Sequence, residues 1–127
     1  MRAMVEIAKT DHATGIFQKD ISENQKISIK YLDQIIHSLK AAGLITNMSG
    51  KKSGYRLTRK ASEITTLDIF KAFEPEIAVI DCMSEYFDCE LEPLCHTNKF
   101  WRELNDRITD YFSTNTLEDL VQNKDFF

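Results

Sequence analysis

The three cysteines of the chain, Cys82, Cys89 and Cys95, share the stretch CMSEYFDCELEPLCH, which ends at His96, with six residues between the first two and five between the second two. Thiolates are soft, anionic ligands suited to iron–sulfur iron, and a flexible loop lets three of them wrap one cluster. A disulfide is a second use, and any of the three pairings leaves an odd thiol, which suits a switch better than a staple. Structural zinc sites favour cysteines two to four apart, and no such pair occurs. The remaining reading is three small buried thiols without chemistry. Other reactive constellations are missing: His12, His37 and His96 are scattered without an evident acid–base partner, and no nucleotide-binding loop is present. An enzyme is therefore not expected.

What the thiols do depends on the elements that carry them. A chain of 127 residues predicts one domain with a single core. Its 43% hydrophobic and 28% charged residues are an ordinary soluble balance. No apolar run approaches the roughly 20 residues of a membrane span, and MRAMVEIAKT lacks the pattern of a secretory signal. A cytoplasmic protein is expected, whose thiols stay reduced. The net charge of -4 conceals a division: residues 1–60 carry 11 Lys or Arg against 5 Asp or Glu, and residues 61–127 carry 5 against 15. Only the first half is a candidate for binding a polyanion.

Met1, Met4, Val5 and Ala8 mark one face of a helix that opens without a cap, which predicts further turns before Met1. FQKDISENQ is a short helix, and QKIS restarts the chain. Ser28 is the expected N-cap of the next helix, Ile27 and Leu32 its hydrophobic staple, and Gly43 its stop. Leu32, Ile35, Ile36 and Leu39 line one face of it, and Lys30, Asp33, Gln34 and His37 the other. Two helices joined by a tight turn match a helix-turn-helix. AGLITNMSGKKSGYRLTR then reads as a hairpin with Lys51 and Lys52 at its tip and Arg56, Arg59 and Lys60 behind, a basic wing that can reach phosphates. ITTLDIF predicts a capping box of Thr65 with Asp68 and a staple of Ile64 with Ile69. Trp101, Leu104, Ile108 and Tyr111 form a narrow seam, either a helix-to-helix contact between two copies or an intrachain core stripe, with Glu103 and Arg107 paired four apart. The fold expected is mainly α with a small β wing. Its parts are a winged helix-turn-helix over 1–60, a connecting helix and cysteine loop over 61–96, and a long dimerisation helix with a short C-terminal helix over 97–127, in one structural domain.

RAMVEIA, ISIKYLDQIIHSLKAAGLI, GKKSGYRL, EITTLDIFKAFE, the three-cysteine segment, WRELNDRI and NTLEDLV, in this order, resemble the Rrf family of bacterial winged-helix regulators, which includes IscR, NsrR and CymR. The resemblance implies a transcription regulator that binds a palindromic operator in double-stranded DNA as a homodimer. It implies that Ser28, Lys30 and Tyr31 touch backbone and base edges, that Asp33 accepts from a cytosine amine, and that Gln34 bonds an adenine. Ser49 stands where some members place a minor-groove arginine and Ser53 replaces a wing glycine, which leaves Lys51 and Lys52 to phosphates. In cluster-binding members, three cysteines placed like Cys82, Cys89 and Cys95 hold an iron–sulfur cluster, 2Fe–2S or 4Fe–4S. Asn98 occupies the position of a histidine ligand in some members, so His96 is the candidate fourth ligand. Other members take a carboxylate from the partner subunit's first helix. A sensor of redox, nitric oxide or iron–sulfur status is implied. The alternatives are a cluster-free regulator controlled by thiol oxidation, a metabolite or a partner protein, as in CymR-like members, and a winged helix used as a protein-interaction module.

Overall fold

The computed structural model describes residues 1–10, 14–49 and 54–125. Helix α1 (Arg2–Lys9) buries Ala3, Met4 and Ile7 along one face. Helix α2 (Gln18–Gln25) ends at Lys26, whose φ of 55° turns the chain sharply. The turn is tied by the Ser22 hydroxyl, which donates to the Ile27 carbonyl at 2.6 Å, and by the Ile27 amide, which donates to the Ser22 carbonyl at 3.1 Å. Helix α3 (Ile29–Ala41) starts as its sequence requires: the Ser28 hydroxyl accepts from the Tyr31 amide at 3.2 Å, while Ile27 and Leu32 are both buried. It stops at Gly43, whose φ of 72° is left-handed, as the Leu44 amide turns back to the Leu39 carbonyl.

Strands β1 (Ile45–Asn47) and β2 (Tyr55–Leu57) pair antiparallel, Ile45 opposite Leu57 and Asn47 opposite Tyr55. Ile16, in the chain before α2, adds a bridge to Tyr55 on β2's other edge. That contact leaves no room for a side chain at Gly54, where a Cβ would stand 2.7 Å from the Ile16 nitrogen. The fold class is as expected, mainly helical with a two-stranded wing.

Helix α4 (Thr66–Lys71) has its capping box in place: Thr65 accepts from the Asp68 amide, and the Asp68 carboxylate accepts from the Thr65 amide. Ile64 and Ile69 are buried beneath it. A long segment with two 3-10 turns, Asp81–Met83 and Glu92–Leu94, leads to helix α5 (Asn98–Thr114). Helix α6 (Leu117–Val121) then returns to the start of α4. The Thr66 amide donates to the Asn115 carbonyl and the Leu117 amide to the Ile64 carbonyl, both at 2.8 Å. A second capping box, Thr116 with Asp119, fixes α6, which packs on α1 and sends Leu117 into the core. One core thus takes in Met4 and Ile7 of α1, Leu32 and Leu39 of α3, Ile64, Ile69 of α4 and Leu117 of α6. Among the described residues no helix is long and apolar enough to cross a membrane.

Candidate nucleic-acid interface and cysteine segment

The polar face of α3 is open to solvent over Ser28, Lys30, Tyr31, Asp33, Gln34 and His37. Tyr31 is 60% exposed, an aromatic ring the core has no use for. The amide of Gln18, the first residue of α2, donates to an Asp33 carboxylate oxygen and, at 3.4 Å, to the Ile29 carbonyl. One oxygen of Asp33 is therefore engaged within the protein and the other is free to accept, so the carboxylate's direction is set by α2. Pattern reading of the sequence did not mark Gln18, since the contact joins two helices and has no periodic signal.

Behind the hairpin, the two arginines differ. Arg56, on β2, is exposed and has no ion pair among the described residues. Arg59 braces the hairpin to α4: its Nε donates to the Glu63 carbonyl at 3.2 Å, and its guanidinium meets the Asp68 carboxylate, also at 3.2 Å. Two of the five Arg59 donors are thus engaged within the protein, while the side chain stays partly exposed beside the hairpin. Lys51 and Lys52, with Gly50 and Ser53 at the hairpin tip, and His12, lie outside the described residues.

The cysteine segment is folded by its own short contacts. The Glu76 carboxylate accepts from the Ser84 hydroxyl and from the Glu85 amide, and the Tyr86 amide donates to the Ser84 hydroxyl. Cys82 lies in the first 3-10 turn and, like Cys89, is half-buried, whereas Cys95 follows the second turn and is exposed. All three are free thiols. Among the described residues no three His, Cys, Asp or Glu side chains are grouped so as to hold a metal ion, so the structure does not bring Cys82, Cys89, Cys95 and His96 together. As a donor set, three thiols on one solvent-facing segment fit an iron–sulfur cluster; gathering them requires the segment to rearrange.

Cys95 is chemically distinct. Its sulfur lies 3.3 Å from the Thr97 hydroxyl. That hydrogen bond, helped by the Thr97 and Asn98 backbone, holds the thiol below its ordinary pKa against the opposing pull of Glu92. Arg102 ties the segment to α5 by meeting Glu92 at 2.8 Å and reaching Asn98 at 3.5 Å. Between Lys71 and Lys99 there are seven Asp or Glu and no Lys or Arg, which sets this segment apart from any phosphate-binding surface.

Helix α5 has no fully buried residue. It meets α4 through Phe112, whose ring lies edge-on to Phe70 at 5.2 Å and whose carbonyl accepts from the Thr66 hydroxyl. Farther along, the Asn105 side chain accepts from the Val79 amide at 3.0 Å. Of the expected seam, Trp101 and Ile108 are half-buried while Leu104 and Tyr111 are exposed. Phe100, 63% exposed, adds an apolar ring that sequence periodicity did not include.

With this geometry in place, the comparisons with known proteins become specific. A family model named Rrf2 and described as an iron-dependent transcriptional regulator matches residues 1–123. The HTH-type transcriptional regulator IscR of Pectobacterium atrosepticum is 34% identical over 123 residues, which span 97% of this chain and 74% of that protein. Among solved structures, CymR, the global cysteine regulator of B. subtilis, matches with a TM-score of 0.77 and 28% identity over 96% of this chain and 89% of that one. The IscR of T. potens matches with a TM-score of 0.75 and 27% identity, over 98% and 81% respectively.

Proposed function

The chain belongs to the Rrf2 family of transcriptional regulators, and from that premise we propose that it binds a palindromic operator as a homodimer and reports the state of its cysteine segment to DNA. The family's regulators are not enzymes, and this chain is a DNA-binding, winged-helix transcription regulator of the Rrf2 type. The finer reading assigns α3 to the major groove, with Ser28, Lys30 and Tyr31 on backbone and base edges, and Asp33 and Gln34 reading bases. Lys51 and Lys52 neutralise flanking phosphates. Residues 1–60 form the DNA-binding region, 61–96 the connecting helix and cysteine loop, and 97–127 the dimerisation helix and short C-terminal helix.

The observation that carries the sensor reading is the position of three free thiols on a solvent-facing segment that runs directly into α5. Cys82, Cys89 and Cys95 would hold an iron–sulfur cluster, with His96 as the candidate fourth ligand. Such a cluster supplies a centre sensitive to oxidants and nitric oxide. The chain's contribution is to present Cys95 with its thiolate favoured by Thr97 and to couple the segment to α5 through Arg102 and Glu92. A change in the segment then alters the spacing of two winged helices on DNA, and affinity follows. Protein purified anaerobically should be coloured and contain iron and acid-labile sulfide in comparable amounts. Colourless, sulfide-free protein after anaerobic reconstitution, still binding DNA, overturns the cluster and leaves the regulator.

A second reading has its own support in the separated, accessible thiols: a cluster-free regulator switched by oxidation of Cys95, or controlled by a metabolite or partner protein. Mass spectrometry after peroxide treatment tests its oxidation branch, which requires Cys95 to be modified and operator affinity to change in metal-free protein. If no operator can be selected from random duplexes at low salt, the winged helix serves as a protein-interaction module.

A further inference from the structure

Along the exposed face of α3, the base-reading positions Asp33 and Gln34 are followed by His37 one turn on and Lys40 almost one turn later. His37 and Lys40 are both exposed to solvent. Both line an open cleft of about 450 Å³ between α3 and β2, bordered also by Gln18 of α2 and Tyr55 of β2. The Lys40 ammonium is poised over the Tyr55 ring, 5.9 Å from its centroid, which keeps it at the cleft rather than swinging free. Among the described residues neither His37 nor Lys40 makes an ion pair.

We propose that this cleft seats a backbone phosphate of the operator between His37 and Lys40, and that protonation of His37 makes operator affinity rise as pH falls. The proposal rests on the reading of α3 as the recognition helix. A helix lying in the major groove meets bases over a few residues, and positions farther along it leave the groove and meet the sugar–phosphate strand. Two donors facing one cleft suit an anionic diester better than a base edge. The described titratable groups facing His37 are Asp33 and Lys40 from its own helix and the Tyr55 phenol from β2, while α2 presents only the neutral Gln18 amide. Asp33 lines the same cleft, and its carboxylate, one oxygen of which accepts from the Gln18 amide, opposes a phosphate there, which favours a seat on the Lys40 side of His37. Histidine changes charge between pH 5 and 8, and a phosphate favours the imidazolium; the bound state therefore takes up a proton, and affinity is lost as pH rises through that range.

The test is a fluorescence-anisotropy titration of full-length dimer with a duplex operator, selected at low salt, from about pH 6 to pH 8 and at several salt concentrations. Wild-type affinity should fall about five- to ten-fold over that range, and His37→Gln should flatten the profile. Lys40→Gln should retain the pH dependence while the log–log salt slope becomes shallower by about 1.8, the share of two phosphates, one for each subunit of the dimer. Both side chains are on the surface, and matching thermal unfolding of the variants confirms that any loss belongs to binding. A His37→Gln variant that binds normally with the wild-type pH profile, or a Lys40→Gln variant with the full salt slope, overturns the phosphate seat while the regulator stands. Absence of duplex binding by the wild type overturns the regulator reading itself, and the seat with it.

Discussion

Arg56 and Arg59 are three residues apart, equal in charge and divided in use. Arg59 spends its donors on the Glu63 carbonyl and Asp68 carboxylate, and Arg56 faces solvent from β2. Arg59→Ala should lower stability by about 1 kcal/mol or less, since the pair is partly exposed, and leave the salt dependence of DNA binding unchanged in a titration. Gly54→Ala is the harsher change: its methyl would meet the Ile16 backbone at 2.7 Å. That backbone cannot swing aside as a side chain would, so a loss of about 1–3 kcal/mol is expected in denaturant unfolding. At this scale, residues whose effect is local were legible in the sequence. Ser28 and Thr65 are capped partners three residues from their amides, and that spacing is written in the chain. Gln18 and Asp33 are 15 residues apart, and Arg59 and Asp68 are nine apart across an element boundary; such pairs exist only once the helices have been docked.

The elements followed their caps and stripes closely: α3 runs between Ser28 and Gly43, and Ile45–Asn47 pairs with Tyr55–Leu57. What periodicity could not give was where the short helix α6 goes. Asp119 holds it, accepting from the Thr116 amide and hydroxyl and pairing with Lys124 at 2.9 Å. The Lys124 contact, followed by the Thr116 bonds, pulls its carboxyl down to about 2 from 3.8. A lowered folded-state pKa means that this contribution is complete above the ordinary carboxylate range and is lost as the pH drops from about 4 to about 2. Asp119→Asn should therefore be less stable than wild type at neutral pH, with the difference closing in acid when thermal midpoints are compared. The cysteine segment was legible only as chemistry. Its thiols advertise a ligand set, but nothing in their spacing says that the segment winds into two 3-10 turns, with Glu76 holding Ser84 and Glu85 after the first.

On the scale of the whole molecule, the basic and acidic halves seen in the sequence become one body with a single core, and a helix, α5, with no buried residue. The seam of Trp101, Leu104, Ile108 and Tyr111 was legible as a stripe, while its openness at Leu104 and Tyr111 could be known only after Phe112 was seen to face α4. If α5 pairs two copies, Leu104→Asp combined with Tyr111→Asp should weaken self-association by at least about thirty-fold in sedimentation velocity and reduce operator affinity in parallel. A dimer that survives both charges would place the pairing surface elsewhere. The bridge between Thr65 and Thr116 has one more implication. Residues 66–115 depart from the winged helix and come back to it side by side at this clasp, with Ile69 in the common core and the Arg59–Asp68 pair as further fastenings. Because the two ends of that excursion are held next to each other, a change of length in the cysteine segment would leave Ile64 and Leu117 in register, like a longer rope tied to the same cleat.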